Sequence, residues 1–289
     1  MEAGVRSRFV MAGRVKTHYI EAGQDGPPLI FCHGGGAGAS GDAGFGRMAP
    51  LLAPKFTVYA LDSVGGYGET DATFPTPEGI QDRVTQLEWF VDTLCLDGLY
   101  LTGNSQGAWV AAKYAIQHPE KVKKLFFIAS GTIGVAMGIN MPETEGMRAL
   151  RAYDGTPQAM RRLLDNIIYD HSKITDQLVE VRNKAATRPG ARETARLFQE
   201  GTMRVMRDDP VLRPMKFEMT WTLPRLNLPI KCIWGEEDNF ADPQMGRELQ
   251  KLLPNVVFEF IPKAGHQAQT DQPETVARLM TEFWESDGR

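Results

Sequence analysis

The sequence predicts an α/β protein, a doubly wound and mostly parallel sheet flanked by helices. Three observations carry this. Short runs apolar on both faces recur at Leu29–Cys32, Phe56–Leu61, Leu99–Thr102, Leu125–Ala129, Ile230–Trp234 and Val256–Ile261, as strands covered by helices on both sides require. Helical stripes lie between them, and strand alternating with helix is the signature of this class. The rhythm then breaks between about Ile133 and Trp221, where strand runs give way to helical segments.

Taken in order, residues 7–20 alternate apolar and polar around Ala12-Gly13-Arg14 and predict an antiparallel hairpin. Ile80, Val84, Leu87, Val91 and Leu94 fall at spacings of four, three, four and three, one stripe of a helix. Val276, Leu279, Met280 and Phe283 form a similar closing stripe. In the interrupted stretch, Thr156-Pro157 predicts a capped helix running through Tyr169. Thr175 or Ser172 opens the next, carrying Leu178, Val179 and Arg182, and two further helical stretches follow Pro189. Roughly ninety residues of helix between two strands fit over the sheet edge as a cap. The expected division is therefore core 1–132, helical cap 133–220 and core 221–289, with most cap arginines on a solvated face.

Composition narrows the function. A net charge of −4 gives no clustered basic surface for nucleic acid. No apolar run approaches the ~20 residues that span a bilayer. The start, Met1 to Arg8, lacks the pattern of a signal peptide. Cys32, Cys95 and Cys232 show neither metal spacing nor an even framework, so buried thiols in a reducing cytoplasm are expected. No feature suggests a dinucleotide or metal cofactor; a small-molecule substrate is the expected partner.

The chemistry centres on Gly103-Asn104-Ser105-Gln106-Gly107, between an apolar strand and a helix. A glycine two before and two after the serine suits a sharp strand-to-helix turn, where a Cβ would clash. The turn aims Ser105 away from the sheet, and the helix behind it offers free N–H groups and a positive dipole end. A serine nucleophile needs a base and a group to orient that base. Of the five histidines, His18, His33, His118, His171 and His266, the last follows the final strand, where a loop reaches the sheet's carboxyl edge. Asp238, just beyond Ile230–Trp234, is the expected orienting acid, with Asp242 its competitor and Glu236 and Glu237 expected in solvent. The order Ser105, Asp238, His266 is one of the recurring triad orders. Oxyanion donors are expected from the backbone of Gln106 and of Gly35, with Gly36 next, in the run His33-Gly34-Gly35-Gly36-Ala37-Gly38.

With these residues in place, nearly the full length resembles the α/β-hydrolase superfamily, and within it the meta-cleavage-product hydrolases. The resemblance rests on His33 to Gly38, Leu61-Asp62-Ser63, Gly103-Asn104-Ser105, Gly265-His266-Gln267-Ala268-Gln269 and, most specifically, the run Tyr169 to Arg182. It implies a mostly parallel eight-stranded sheet with an inserted helical cap, and a homo-oligomer, dimer or higher. The implied reaction is hydrolysis of a carbon–carbon bond in a 2-hydroxy-6-oxo-2,4-dienoate, giving 2-hydroxypenta-2,4-dienoate and a carboxylic acid. Arg182 and Asn104 would hold the dienoate end, with Gly36 and Gln267 also against the substrate. Departures fall around the substrate: Ala108 replaces a second glycine, Gln267 a tryptophan, Ser40 to Gly44 lacks the usual asparagine and tryptophan, and Val64-Gly65-Gly66-Tyr67 replaces Pro-Gly. Two other readings use the same residues: a carboxylesterase or lactonase with the same triad, and a ligand-binding hydrolase-fold protein without turnover.

Overall fold

A computed structural model describes residues 4–286. The outermost residues of the two expected core segments, 1–3 and 287–289, lie outside the described residues, as does the start of the stretch read for a signal peptide. Eight strands form one sheet: β1 (Val5–Ala12), β2 (Val15–Ala22), β3 (Pro28–Cys32), β4 (Thr57–Leu61), β5 (Leu99–Asn104), β6 (Val122–Ile128), β7 (Ile230–Gly235) and β8 (Val257–Ile261). Their order across the sheet is β1-β2-β4-β3-β5-β6-β7-β8. The β1–β2 and β2–β4 pairs are antiparallel and the other five are parallel. The opening hairpin turns at Gly13, where φ is +57°, a left-handed value that glycine adopts without a Cβ penalty. Central strands are buried along their length because helices cover both faces; Leu29, Ile30, Phe31, Leu101, Leu125 and Phe126 have no exposed surface.

The helix Ile80–Thr93 follows the sequence stripe and buries Ile80, Val84, Leu87 and Val91, but the same face also buries Arg83. The helix Gln106–Gln117 starts directly at the Ser105 turn. Between β6 and β7 the described chain forms helices joined by loops, with no strand, in agreement with the broken rhythm. Thr156 caps the helix Pro157–Asp165 by accepting from Ala159 N. That helix ends short of Tyr169. The carbonyl of Ile167 is taken by Gln267 N at 3.0 Å, and Asp170 N donates to Asp271, so long-range partners replace the next helical turn. Thr175, not Ser172, caps the helix Asp176–Thr187; Ser172 instead joins a turn built on Asp170. After Pro189 one long helix, Ala191–Met203, is followed by wider helical turns at Arg204–Asp208 and Arg213–Phe217.

The insertion has its own small core, in which Met160, Leu163, Leu164, Ile167 and Ile168 are buried. It is also tied to the sheet side. Trp109 Nε1 donates to Phe217 O, Ile80 N to Thr202 Oγ1, and the Tyr67 and Phe198 rings meet edge to face at 5.6 Å. Its arginines split: Arg148, Arg151, Arg161 and Arg196 pair with acids at the surface, whereas Arg182 is buried. Cys32 and Cys232 are buried, but Cys95 is exposed after the helix that Leu94 caps, so the expectation of three buried thiols fails there. No helix among the described residues is long and apolar enough to cross a membrane.

Candidate active site

Ser105 sits between β5 and its helix with φ +56° and ψ −120°, a region a residue with a Cβ rarely occupies. Neighbouring strands hold it there. Ser105 N donates to Ile128 O at 2.9 Å, and the Ser130 hydroxyl donates to Ser105 O at 2.7 Å. Ser130, just past β6, braces the turn from the neighbouring strand end. The two pattern glycines are required by packing. A Cβ on Gly103 would lie 2.2 Å from Gly107 C, and one on Gly107 would lie 1.9 Å from Cys32 O.

On the neighbouring strand ends, His266 Nδ1 lies 2.8 Å from Asp238 Oδ2. The other carboxylate oxygen, Oδ1, accepts from Phe240 N and Ala241 N, both at 2.8 Å. Asp238 is therefore fixed by its own loop and aimed by it at the imidazole. Asp242, the competitor, is an N-cap that accepts from Gln244 N and does not reach His266. Glu237 is half-buried and accepts from Ala264 N, so it supports the His266 loop rather than standing in solvent. The Phe240 ring packs on the imidazole at 4.7 Å.

Ser105, His266, Asn104, Arg182, Gln267, Gly35 and Gly36 line one narrow void of about 20 Å³ beside the Ser105 turn. A second void of about 10 Å³ adjoins it, sharing Gly35, Asn104, Arg182 and Gln267 and adding Ser40, Gly44 and Gln269. A wider groove of about 630 Å³ lies elsewhere, between Pro157–Arg161 and Asp176–Thr187; it is open and holds no residue of this cluster.

Arg182 is the charged group of the cluster. It is only 2% exposed. Nη2 donates to Ala37 O at 3.1 Å, Nε has no partner, and among the described residues no carboxylate pairs with it. Burial pushes its pKa down to about 10, so it stays cationic at neutral pH. A buried cation without an acid carries a desolvation penalty that a bound anion would offset. Asn104 differs from expectation in one respect. Both donors of its amide are used, to Ile128 O at 3.1 Å and to His266 O at 2.9 Å, leaving Oδ1 against Gly34. It tethers the His266 loop to the serine turn and offers the voids an acceptor.

The glycine-rich loop is held from behind. His33 is buried, its Nδ1 lies 2.7 Å from Gly34 O, and Nε2 accepts from Ser63 N at 3.0 Å. Burial and the Arg83 charge lower its pKa to about 3, so it is neutral. A Cβ on Gly35 would lie 2.6 Å from the Gln106 side chain, which explains a glycine where the two loops meet.

Two residues of this region were not found from sequence. Arg83 is 1% exposed; it donates to His33 O and, at 3.3 Å, to Gln106 Oε1, and it lies over the Tyr67 ring at 5.4 Å. The signal was a charged residue three after Ile80 and four before Leu87, on the buried stripe. Gln269 lines the second void with both amide atoms buried and unpartnered. Its signal is polarity three residues after His266 in a tightly packed loop.

A strained serine at a helix N-terminus, on a sheet of this order and facing a histidine held by an aspartate, defines a class. The family model described as alpha/beta hydrolase fold matches residues 27–273, and the chain belongs to that family of hydrolases. Its curated relatives narrow the family further. It is 30% identical over 284 residues, covering 98% of this chain and 92% of the relative, to the 2-hydroxy-6-oxo-6-(2'-aminophenyl)hexa-2,4-dienoic acid hydrolase of Metapseudomonas resinovorans. It is 29% identical, over 93% of this chain and 91% of the relative, to a 2-hydroxy-6-oxononadienedioate/2-hydroxy-6-oxononatrienedioate hydrolase of Paraburkholderia phymatum. Among solved structures, the meta-cleavage product hydrolase of Pseudomonas fluorescens IP01 superposes with a TM-score of 0.80 at 26% identity, over 96% of this chain and 97% of that one.

Proposed function

We propose that this protein hydrolyses the carbon–carbon bond of a 2-hydroxy-6-oxo-2,4-dienoate, with Ser105 as nucleophile, His266 as base and Asp238 orienting it. The observation that carries this is Arg182, a buried cation without an acidic partner, lining the same void as Ser105 and His266. Its planar fork suits the substrate carboxylate, and Asn104 Oδ1 suits the 2-hydroxyl as an acceptor.

The chemistry proceeds in balanced steps. The enol proton moves from the 2-hydroxyl to C5, giving a ketone at C2. Ser105 Oγ, losing its proton to His266, attacks the C6 carbonyl. The backbone N–H groups of Gln106 and Gly35 take the oxyanion, whose stabilisation is worth roughly 10²–10³ in rate per donor. As the C5–C6 bond breaks, its electrons run through the C3–C4 double bond to the C2 oxygen, beside Arg182. Protonation there gives 2-hydroxypenta-2,4-dienoate. Water, deprotonated by His266, then hydrolyses the acyl-Ser105 ester and releases the acid. Residues 133–220 act in this reading as a cap, and Gln267 and Gln269 complete the polar end. We take the protein to be cytoplasmic, on the strength of its cysteine usage, and a homo-oligomer, as the family resemblance implies; sedimentation analysis tests the second point.

The test mixes the protein with yellow ring-fission products and follows loss of visible absorbance. Bleaching by wild type, lost by about 10²-fold or more in Arg182→Ala with simple ester hydrolysis spared, is the expected result. Ester turnover without any bleaching would favour the esterase or lactonase reading.

A further inference from the structure

Three spaces stand in a row from Ser105 to the surface. The void that Ser105 lines meets the smaller one at Asn104, Arg182 and Gln267. The smaller one in turn meets an outer cleft of about 240 Å³, and the residues those two share are Gly44 and Gln269. The cleft lies between the short helix Gly41–Phe45, the start of Asp176–Thr187 and Gln269-Thr270, with Arg47, Thr175 and Gln177 on a mostly polar wall that Asp42 also lines. The partition between cleft and void is slight. Gln269 is 1% exposed, yet neither its Oε1 nor its Nε2 has a partner. A buried amide left unpaired is one that a polar ligand satisfies, and turning it aside breaks no hydrogen bond. Gly44 adds no side chain to the partition, and packing does not demand a glycine there: a Cβ would lie 3.7 Å from His33 Cβ, an ordinary contact. Ser40 to Gly44 is also where this chain lacks the asparagine and tryptophan usual in meta-cleavage-product hydrolases.

We infer that the outer cleft is a second, polar doorway to the catalytic site, gated by the Gln269 side chain, through which the small carboxylate product leaves. This rests on the C–C hydrolase reading and adds a binding site on the way out. After cleavage the acyl fragment stays bonded to Ser105, and the dienoate fragment lies at Arg182. Toward Ser105 its way is blocked by the acyl group. Away from Ser105 stand Gly44 and Gln269, and then the cleft. With Gln269 turned outward, its amide N–H groups accompany the carboxylate. Beyond it Arg47, half-buried and donating through Nη2 to Lys173 O at 3.3 Å, offers a second guanidinium. The carboxylate thus passes from one planar cation to another, with an unpaired amide between them.

The experiment fills the cleft from outside. Val181→Trp, at an exposed position on its wall, and Ala43→Phe, an independent plug, leave Ser105, Arg182 and Gln269 in place. With a phenyl-substituted ring-fission product, single-turnover bleaching under enzyme excess should stay within about twofold of wild type, while kcat falls about tenfold because release becomes limiting. Both rates falling together, or neither falling, overturns the inference. Absence of bleaching by wild type counts against the C–C reading instead. In that event a chemical probe still decides whether the doorway exists. Gln269→Cys in a Cys95→Ser background places a thiol at the gate, while Cys32 and Cys232 are buried. Its modification by sulfonatoethyl methanethiosulfonate, a small anion, is followed by mass spectrometry. Labelling that Val181→Trp slows by about tenfold or more supports the doorway, since thiol reaction depends on access. No labelling, or labelling at the same rate with the cleft filled, overturns it.

Discussion

Two serine–histidine–aspartate lines run through the described residues, and the second of them lines the void beside the glycine-rich loop. In the first, Ser7 Oγ lies 2.8 Å from His18 Nε2, and His18 Nδ1 lies 2.7 Å from Asp62 Oδ2. In the second, Asp238 holds His266 at 2.8 Å beside Ser105. The hydrogen-bond geometry of the acid–base pair is nearly the same. The surroundings are not. Ser7 stands exposed in the regular edge strand β1, which runs on into a hairpin turn rather than a helix N-terminus. Asp62 also accepts from Gly41 N and Glu69 N, so it pins the loops around the glycine-rich run. Ser105 has a strained left-handed backbone, a helix N-terminus behind it and the glycine-rich loop in front. A serine–histidine–aspartate line can thus serve to satisfy a buried aspartate. What distinguishes Ser105 from Ser7 is the strained turn, the helix N-terminus and the void.

The largest test of this contrast is a pair of substitutions. Ser105→Ala should lower kcat on a dienoate by on the order of 10⁴-fold. Ser7→Ala, which removes the matching hydroxyl of the other line, should leave the rate unchanged and shift stability by less than about 0.5 kcal/mol. Steady-state bleaching assays and urea titrations measure both. A comparable rate loss in the two variants would erase the distinction drawn between them.

Arg83 sharpens the same comparison from behind the loop. Its guanidinium spans His33 O and Gln106 Oε1, and so joins the two segments expected to donate to the oxyanion. Arg83→Met strands both acceptors, and kcat should fall about 10–10²-fold with KM little changed. Lysine should rescue only in part, because one ammonium does not match a planar fork. If KM rises and kcat holds, Arg83 serves binding rather than the donors.

A smaller effect is expected at the link between the insertion and the His266 loop. Asp271 accepts from Asp170 N through one oxygen and from Gly265 N through the other, each at 2.8 Å. Burial raises its pKa, offset in part by those N–H groups. Asp271→Asn sets an amide donor against a backbone donor, so one attachment is lost. Activity should drop about 3–10-fold, in line with one weakened hydrogen bond. Proteolytic nicking near residues 167–170 should quicken; unchanged nicking would show that Gln267 N on Ile167 O suffices.

How much of this was legible in the chain depends on whether a residue's neighbours in sequence are its partners in space. Ser105, Asp238 and His266 each stand just past an apolar strand run, and a parallel sheet brings such ends to one edge. Parallel pairing of β5, β6, β7 and β8 is what lets three distant loops be read as one site. Arg83 was hidden because its stripe was read for apolar residues, and a buried cation was absorbed as noise in the pattern. The use of Asn104 donors on His266 O could not be read either, since that contact joins residues 162 apart. The helix from Pro157 ends early for the same reason: its next turn gives way to the Gln267 N–H and the Asp271 carboxylate, about a hundred residues away.

The smallest effect returns to the line of Ser7, His18 and Asp62. Burial alone would lower the His18 pKa, but the hydrogen bond and charge of Asp62 outweigh it, and the value lies above 6.5. Asp62 responds in the opposite sense: burial would raise it, but His18 and backbone N–H groups leave it below 3.8. A raised histidine stabilises the fold fully below about pH 6.5, and that contribution is lost as pH climbs through the folded value. The depressed aspartate stabilises the fold above pH 3.8, and that contribution is lost as pH falls through its folded value. The pair therefore supports the fold most strongly between those limits. His18→Gln keeps a donor toward Asp62 but cannot gain a charge. Urea midpoints should then show wild type losing stability from pH 6.5 to 9 more steeply than the variant, while activity at pH 7 stays within about twofold. Parallel slopes would mean that His18 is neutral in the folded protein, and that the ion pair contributes nothing to the loops around Gly41.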